Sequence, residues 1–211
     1  MSKFAILMGG DVTPTPRLKQ QLQSARAIAA DGGMAHAALL RLAPELWVGD
    51  FDSTSGALAG QWHGVPRQTH PVEKAASDGE LAISEALRRG ADALILVGGL
   101  GGQLDHVLAH AGFLVALARR GIDVFMTSGV EEARALVDTV ALPSLPPGTR
   151  LSIMPLTDLQ GLTISGVKWP LAKARVPLGT AMTLANIATG PVEIAVDGGH
   201  AIVLTYHPVA A

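Results

Sequence analysis

The segment Gly49-Asp50-Phe51-Asp52-Ser53 carries two carboxylates two residues apart. On an extended backbone, side chains at i and i+2 face the same way, so Asp50 and Asp52 are expected side by side. Carboxylates so placed repel, and the repulsion is relieved by protonating one or by recruiting a cation. The chain has no cysteine, so the ligands on offer are hard oxygens. These favour Mg²⁺, which commonly arrives with a substrate phosphate. The competing reading is a simple turn, with Asp52 capping a helix and Asp50 solvated.

Three more Gly/Asp clusters follow short apolar runs: Gly9-Gly10-Asp11, Asp31-Gly32-Gly33, and Gly98-Gly99-Leu100-Gly101-Gly102-Gln103-Leu104-Asp105-His106. Taken singly, each is an ordinary strand-to-helix turn. Taken together, they point to one crevice, because ligands of parallel α/β sheets bind beyond the carboxyl ends of the strands. The 98–102 loop joins an apolar run to a helix. Its glycines let backbone N–H groups approach phosphate, and the helix start favours negative charge. It is neither a dinucleotide fingerprint, since the third glycine position is Leu104, nor a P-loop, since no Gly-Lys-Ser/Thr occurs. Asp105 and Asp78 each fall in the first turn of a helical pattern, where an acid also serves the helix dipole. Lys74, four residues before Asp78, is placed either to neutralise phosphate or to stand in solvent. The histidines at 36, 63, 70, 110, 200 and 207 lack metal-ligand spacing with one another, so they are read as structural or surface residues. Trp47 and Trp62 are read as core. Trp169 differs, because its flanks are polar.

Elements must carry these residues. Short apolar runs at 4–8, 26–30, 46–49, 93–97 and 122–127 predict buried strands. Ser77 and Glu80 have capping-box spacing and open a helix closed by Arg88-Arg89-Gly90; a second helix covers 104–120. Alternation of this kind predicts a parallel α/β sheet. Past Gly129 the helical periods fade. Runs at 150–154, 162–165, 182–188, 192–196 and 201–206, separated by Gly and Pro, predict antiparallel strands in a small sandwich or barrel. The expected division is therefore 1–129, an α/β catalytic domain of Rossmann-like type, and 130–211, a smaller β-sandwich domain.

Composition excludes several classes. With 211 residues, 48% of them hydrophobic, and a mean hydropathy of +0.34, the chain buries a substantial core and is not intrinsically disordered. Sixteen Lys and Arg against 18 Asp and Glu leave a net charge of −2, so no basic surplus serves nucleic acid or an anionic membrane. Disulfides, thiolate nucleophiles and Cys-based metal sites are impossible. The apolar runs are too short for a signal peptide or a membrane helix, and a cytoplasmic location is expected.

The blocks Asp31-Gly32-Gly33, Gly49-Asp50-Phe51-Asp52-Ser53, Lys74 with Ser77-Asp78-Gly79-Glu80, and the 98–106 glycine segment resemble, in order, the signature blocks of the thiamine pyrophosphokinase family. Gly166-Val167-Lys168-Trp169 and Ala185-Asn186 resemble its later thiamine-side blocks. The resemblance implies an ATP- and Mg²⁺-binding α/β domain. It also implies a β domain that completes the thiamine pocket across a homodimer interface, so that active sites are shared. The implied reaction moves the diphosphate of ATP to the hydroxyl of thiamine and releases AMP. By resemblance, Asp31, Asp50, Asp52 and Asp78 form the metal and phosphate site, with Asp50, Asp52, Asp78 and Asp105 as the catalytic set. Gly32, Gly33, Ser53, Lys74, Gly99, Gly101, Gly102 and Gln103 contact ATP on the same basis. Trp169 stacks on a thiamine ring, and Asn186 and His106 belong to that pocket. The sequence departs from the family where Gln103 replaces a common Arg, Ala75 a frequent Asp, and Ala185 a usual Ser. Two other functions fit the residues: diphosphate transfer to another hydroxymethyl heterocycle such as a pterin, and nucleotide binding without catalysis.

Overall fold

The computed structural model describes residues 2–52, 54–71 and 76–207. The chain divides into two compact units, Met1–His110 with Ile122–Gly129, and Ala111–Gly121 with Val130–Ala211.

In the first unit six strands, β1 (Lys3–Leu7), β2 (Arg26–Ala30), β3 (Leu46–Gly49), β4 (Arg67–Thr69), β5 (Ala93–Val97) and β6 (Asp123–Thr127), form a wholly parallel sheet in the order β6-β5-β1-β2-β3-β4. The largely apolar sequences of β1, β2, β3 and β5 fit strands covered on both faces. Every residue of β3 and β5 is buried. The helices are α1 (Pro16–Gln21), α2 (Ala35–Leu40), α3 (Gly56–Gln61), α4 (Asp78–Arg88) and α5 (Leu104–Ala118), with a 3-10 turn over Asp31–Met34 before α2. The first turns are set by side-chain caps. Thr15, Ser55 and Ser77 accept hydrogen bonds from the backbone N–H groups of Leu18, Leu58 and Glu80, which stabilises a helix by about 1 kcal/mol each. The expected Ser77 cap is thus present. Helix α4 packs over β1, β2 and β3.

An ion-pair network ties this helix to the amino ends of β2 and β3. Glu85, 6% exposed, accepts hydrogen bonds from Arg88 and Arg89, while Glu45 accepts from Arg26 and Arg89. The Arg88 guanidinium, assisted by Arg89 and opposed by burial, lowers the Glu85 carboxyl to about 2.

The second unit is antiparallel: β7 (Glu131–Leu136), β8 (Thr139–Leu142), β9 (Arg150–Pro155), β10 (Leu159–Val167), β11 (Leu171–Val176), β12 (Asn186–Ala195) and β13 (Ala201–Tyr206). The path runs β7-β13-β9-β12-β10-β11, with β8 also on β12. Its core includes Leu151, Ile153, Leu162, Ile164, Val192 and Val203. Strand β12 serves three ladders: it pairs with β10, its start also pairs with β9 and its end with β8.

The expected strand at 182–188 is not formed as such. Residues 182–185 make a turn, and β12 runs unbroken through Gly190-Pro191, joining what the sequence read as two strands. Gly166 is required beside it: at φ +72° its Cα faces the Pro191 carbonyl oxygen, which a Cβ would meet at 1.8 Å. Strands β4, β7, β8 and β11 and helices α1 to α3 add to the elements read from sequence. Residues 111–121 group with the second unit rather than the first.

Candidate functional site

All six parallel strands point their carboxyl ends the same way, so the turns after β1, β2, β3 and β5 lie at one edge of the sheet. Glycine holds them together. A Cβ on Gly10 would meet the Gly98 carbonyl oxygen at 2.4 Å, and one on Gly33 would meet that of Leu7 at 2.1 Å. Backbone hydrogen bonds from Gly10 to Gly98 and from Gly98 to Thr127 complete the join. Gly99 is buried, Gly101 half-buried and Gly102 exposed, so the loop rises from the core into solvent before α5 begins. Gln103, Asp105 and His106, which follow it, are exposed.

Asp31 follows β2 at φ +40° and lies against the end of β3, where a Cβ on Gly49 would be 3.3 Å from its Cα. The core indole of Trp47 donates from Nε1 to the Asp31 carbonyl oxygen at 2.8 Å. Asp50 and Asp52 follow β3, but the segment is not extended. Phe51 has φ +63°, and the Asp52 N–H points to Asp50 Oδ1 at 3.4 Å. The pair is therefore a tight turn, which corrects the side-by-side placement expected from sequence. Asp52 does not cap α3, since Ser55 does. A left-handed conformation costs a residue with a side chain about 1–2 kcal/mol. The Phe51 ring offsets that cost by packing edge-on to Trp47 at 5.1 Å and lying under the Arg67 guanidinium at 5.2 Å.

Asp78 and Gly79 open α4 close by: a Cβ on Gly79 would sit 2.7 Å from the Met8 methyl carbon and 3.9 Å from His110 Nε2. Ser53 and Lys74 lie outside the described residues. Among the described residues no three His, Asp or Glu side chains converge closely enough to cage a metal. The four acids thus stand on successive turns and do not form a closed cluster. Their hard oxygens fit Mg²⁺, an ion that takes one or two protein carboxylates and fills its remaining positions with water and phosphate oxygens.

Two histidines set aside as structural hold the site's frame. His36 Nε2 donates to the Gly10 carbonyl oxygen at 2.8 Å. His110, buried, donates from Nδ1 to the Gly99 carbonyl oxygen at 2.9 Å. Burial lowers the His110 pKa below the usual imidazole value, with a smaller contribution from His106. The bond to a carbonyl fixes its neutral tautomer with hydrogen on Nδ1. His110, Leu114 and Leu117, at i, i+4 and i+7, are all buried on α5. That spacing was the signal available in the sequence.

The second unit holds a cleft of about 530 Å³ lined by Leu151, Ile153, Ile164, Trp169, Met182 and Asn186, among others. Trp169 is 55% exposed and Met182 is equally so. The Lys168 ammonium lies 4.8 Å from the centre of the indole ring. Trp169 and Asn186, separated by 17 residues, are in direct contact, with the Asn186 side chain on the Trp169 backbone.

Acidic, glycine-rich turns at the carboxyl edge of a parallel sheet stand where α/β folds bind their ligands. Comparison with known proteins narrows the class. The family model of the thiamin pyrophosphokinase catalytic domain matches residues 18–126, and that of the thiamin pyrophosphokinase vitamin B1 binding domain matches residues 139–200. The chain belongs to the thiamin pyrophosphokinase family. No curated protein matches it significantly. Its fold is similar to that of thiamine pyrophosphokinase from Bacillus subtilis (TM-score 0.86, 20% identity, 98% of this chain and 99% of the other). A thiamin pyrophosphokinase family protein from Enterococcus faecalis is also similar (0.81, 23%, 99% and 100%). So is yeast thiamin pyrophosphokinase (0.78, 12%, 99% and 87%).

Proposed function

We infer that this chain is an enzyme that transfers the β,γ-diphosphate of ATP to the hydroxyl of thiamine, giving thiamine diphosphate and AMP. The observation that carries this reading is the pair of family matches in chain order. The catalytic match covers the parallel-sheet region with the acidic turns, and the vitamin B1 match covers the region that holds the Trp169 cleft.

In this reading ATP lies against the 98–102 loop and the turns bearing Asp31, Gly32 and Gly33, with Ser53, Lys74 and Gln103 on its phosphates. Mg²⁺ is held by carboxylates drawn from Asp31, Asp50, Asp52 and Asp78, and supplies charge neutralisation on the diphosphate. Asp105 faces the transferring group. Diphosphate transfer asks the protein chiefly to position two substrates and neutralise charge, which suits acidic turns and backbone N–H groups better than a nucleophilic side chain. Thiamine occupies the apolar cleft against Trp169, with His106 supplied from the ATP side. The protein works as a cytoplasmic homodimer whose active sites are shared between chains. No helix among the described residues is long and apolar enough to cross a membrane.

Incubation of the protein with ATP, Mg²⁺ and thiamine, followed by separation of products, tests the reading. AMP and thiamine diphosphate are expected in equal amounts, and chelation of the metal should abolish both. Formation of ADP with thiamine monophosphate, or no product at all, would overturn it.

A further inference from the structure

Asn186 was expected to line the thiamine pocket, yet its side-chain amide is engaged elsewhere. Oδ1 accepts the Trp169 N–H at 3.2 Å and the Ile187 N–H at 2.9 Å, while Nδ2 donates to the Trp169 carbonyl oxygen at 2.8 Å. Only an amide in one orientation satisfies both backbone groups of Trp169, one a donor and one an acceptor. The arrangement copies a rung of antiparallel sheet. The β10–β12 ladder reaches Val167 paired with Ala188, and the Lys168 N–H still finds the Ile187 carbonyl oxygen at 2.8 Å. Beyond that point the main chain of Asn186 belongs to β9, where it pairs with Leu151. The Asn186 side chain therefore supplies a rung that β12 itself does not give, and Trp169 is its beneficiary. Trp169 needs this support: the residue is 55% exposed and the next one is Pro170, which has no N–H to donate. The turn before Asn186 is also fixed, since Ala185 adopts φ +58° and donates its N–H to Ser152 Oγ at 3.0 Å.

We propose that Asn186 is a positioning residue for Trp169: it sets the direction of the indole in the cleft by clamping the Trp169 backbone and acts on the bound ring only through that residue. The proposal rests on the thiamine reading of the cleft for its kinetic consequence, but the clamp itself is measurable without any substrate.

Three variants test it: Asn186→Ala, which removes the rung; Asn186→Asp, which keeps both acceptor functions but sets an oxygen against the Trp169 carbonyl; and Trp169→Ala. Losing both hydrogen bonds to the Trp169 backbone predicts a rise in thiamine KM of about 3- to 30-fold in Asn186→Ala, with the KM for ATP unchanged. Asn186→Asp should not rescue it. In the Trp169→Ala background, Asn186→Ala should add less than about 2-fold, because a residue that works through Trp169 has nothing left to position. In the absence of substrate, the indole N–H resonance of Trp169, assigned by its loss in Trp169→Ala, should shift and broaden in Asn186→Ala while those of Trp47 and Trp62 stay in place. Additive losses in the double variant, or an unmoved Trp169 resonance, would overturn the proposal. A folded wild-type protein that ignores thiamine, together with a Trp169 resonance that still shifts in Asn186→Ala, would overturn the functional reading and leave the clamp standing.

Discussion

At the scale of single residues the informative feature is Phe51. Between two aspartates, a large ring looks like core filler. Here it anchors a left-handed turn that aims Asp50 and Asp52 out of the sheet. Asp52 is exposed, and its charge adds to that of Asp50 one tight turn away. Asp52→Asn removes that repulsion, so thermal stability without metal should stay level or rise, while kcat falls 100-fold or more if the carboxylate holds the metal of the transfer step. Nucleotide with Mg²⁺ should also stabilise the variant less than the wild type, because ligand that binds the native state raises its apparent stability. Calorimetry with and without ligand, alongside turnover, reads both outcomes. Full activity with unchanged Mg²⁺ dependence would leave Asp52 as a turn residue.

At the scale of elements, the buried His110 joins α5 to the loop that precedes it. Because its pKa is lowered on folding, its neutral form is the one the fold accepts. The unfolded chain binds the proton first as pH falls, so this stability is present above the ordinary imidazole range near 6.5 and is lost as pH drops toward the lowered value. Every tenfold loss of proton affinity corresponds to about 1.4 kcal/mol. His110→Asn keeps a donor for the Gly99 carbonyl but does not titrate. Its denaturation midpoint should therefore fall less than that of the wild type between pH 7 and pH 5, and equal slopes would show that His110 does not report on folding. Glu85 acts lower on the scale: with its pKa near 2, its contribution is present above the ordinary carboxylate range and disappears as pH falls from there toward 2.

Much of this architecture was legible in the sequence, for reasons that also explain the gaps. Strands β2, β3 and β5 are apolar on both faces, so they stand out as unbroken runs between Gly/Asp turns. Strand β4, Arg67–Thr69, is an edge strand of three polar residues with no periodicity to detect. Strand β11 carries Lys173 and Arg175 on an edge, and β12 passes through Gly190-Pro191, a pair that ordinarily marks a break. The acidic turns announced themselves by composition. The bent course of the Asp50–Asp52 turn did not, because it depends on Phe51 meeting Trp47 and Arg67, contacts made across the fold.

At the scale of the whole molecule, the shared-site proposal predicts complementation. Asp52→Asn chains and Trp169→Ala chains are each impaired in a different half of the site. If one chain's crevice is served by its partner's cleft, mixed dimers contain one intact site, and subunit exchange should restore up to about one quarter of wild-type activity at equal mixing, given random pairing. No recovery despite demonstrated exchange would place both halves within one chain.

The position of β1 has a consequence for synthesis. It sits between β2 and β5, with Lys3 in register with Ala93, yet 67 residues separate the end of β2 from the end of β5. At about 5–20 residues per second, a growing chain carries β1 with one bare edge for roughly 3–13 s. That edge runs Lys3-Phe4-Ala5-Ile6-Leu7: one lysine stands at its start, and the four apolar residues after it hold no charge or proline to deter pairing with a stranger. The first 90 residues are thus the stretch of this gene product most in need of protection on the ribosome, and fragments that stop short of Ala93 should collect in inclusion bodies.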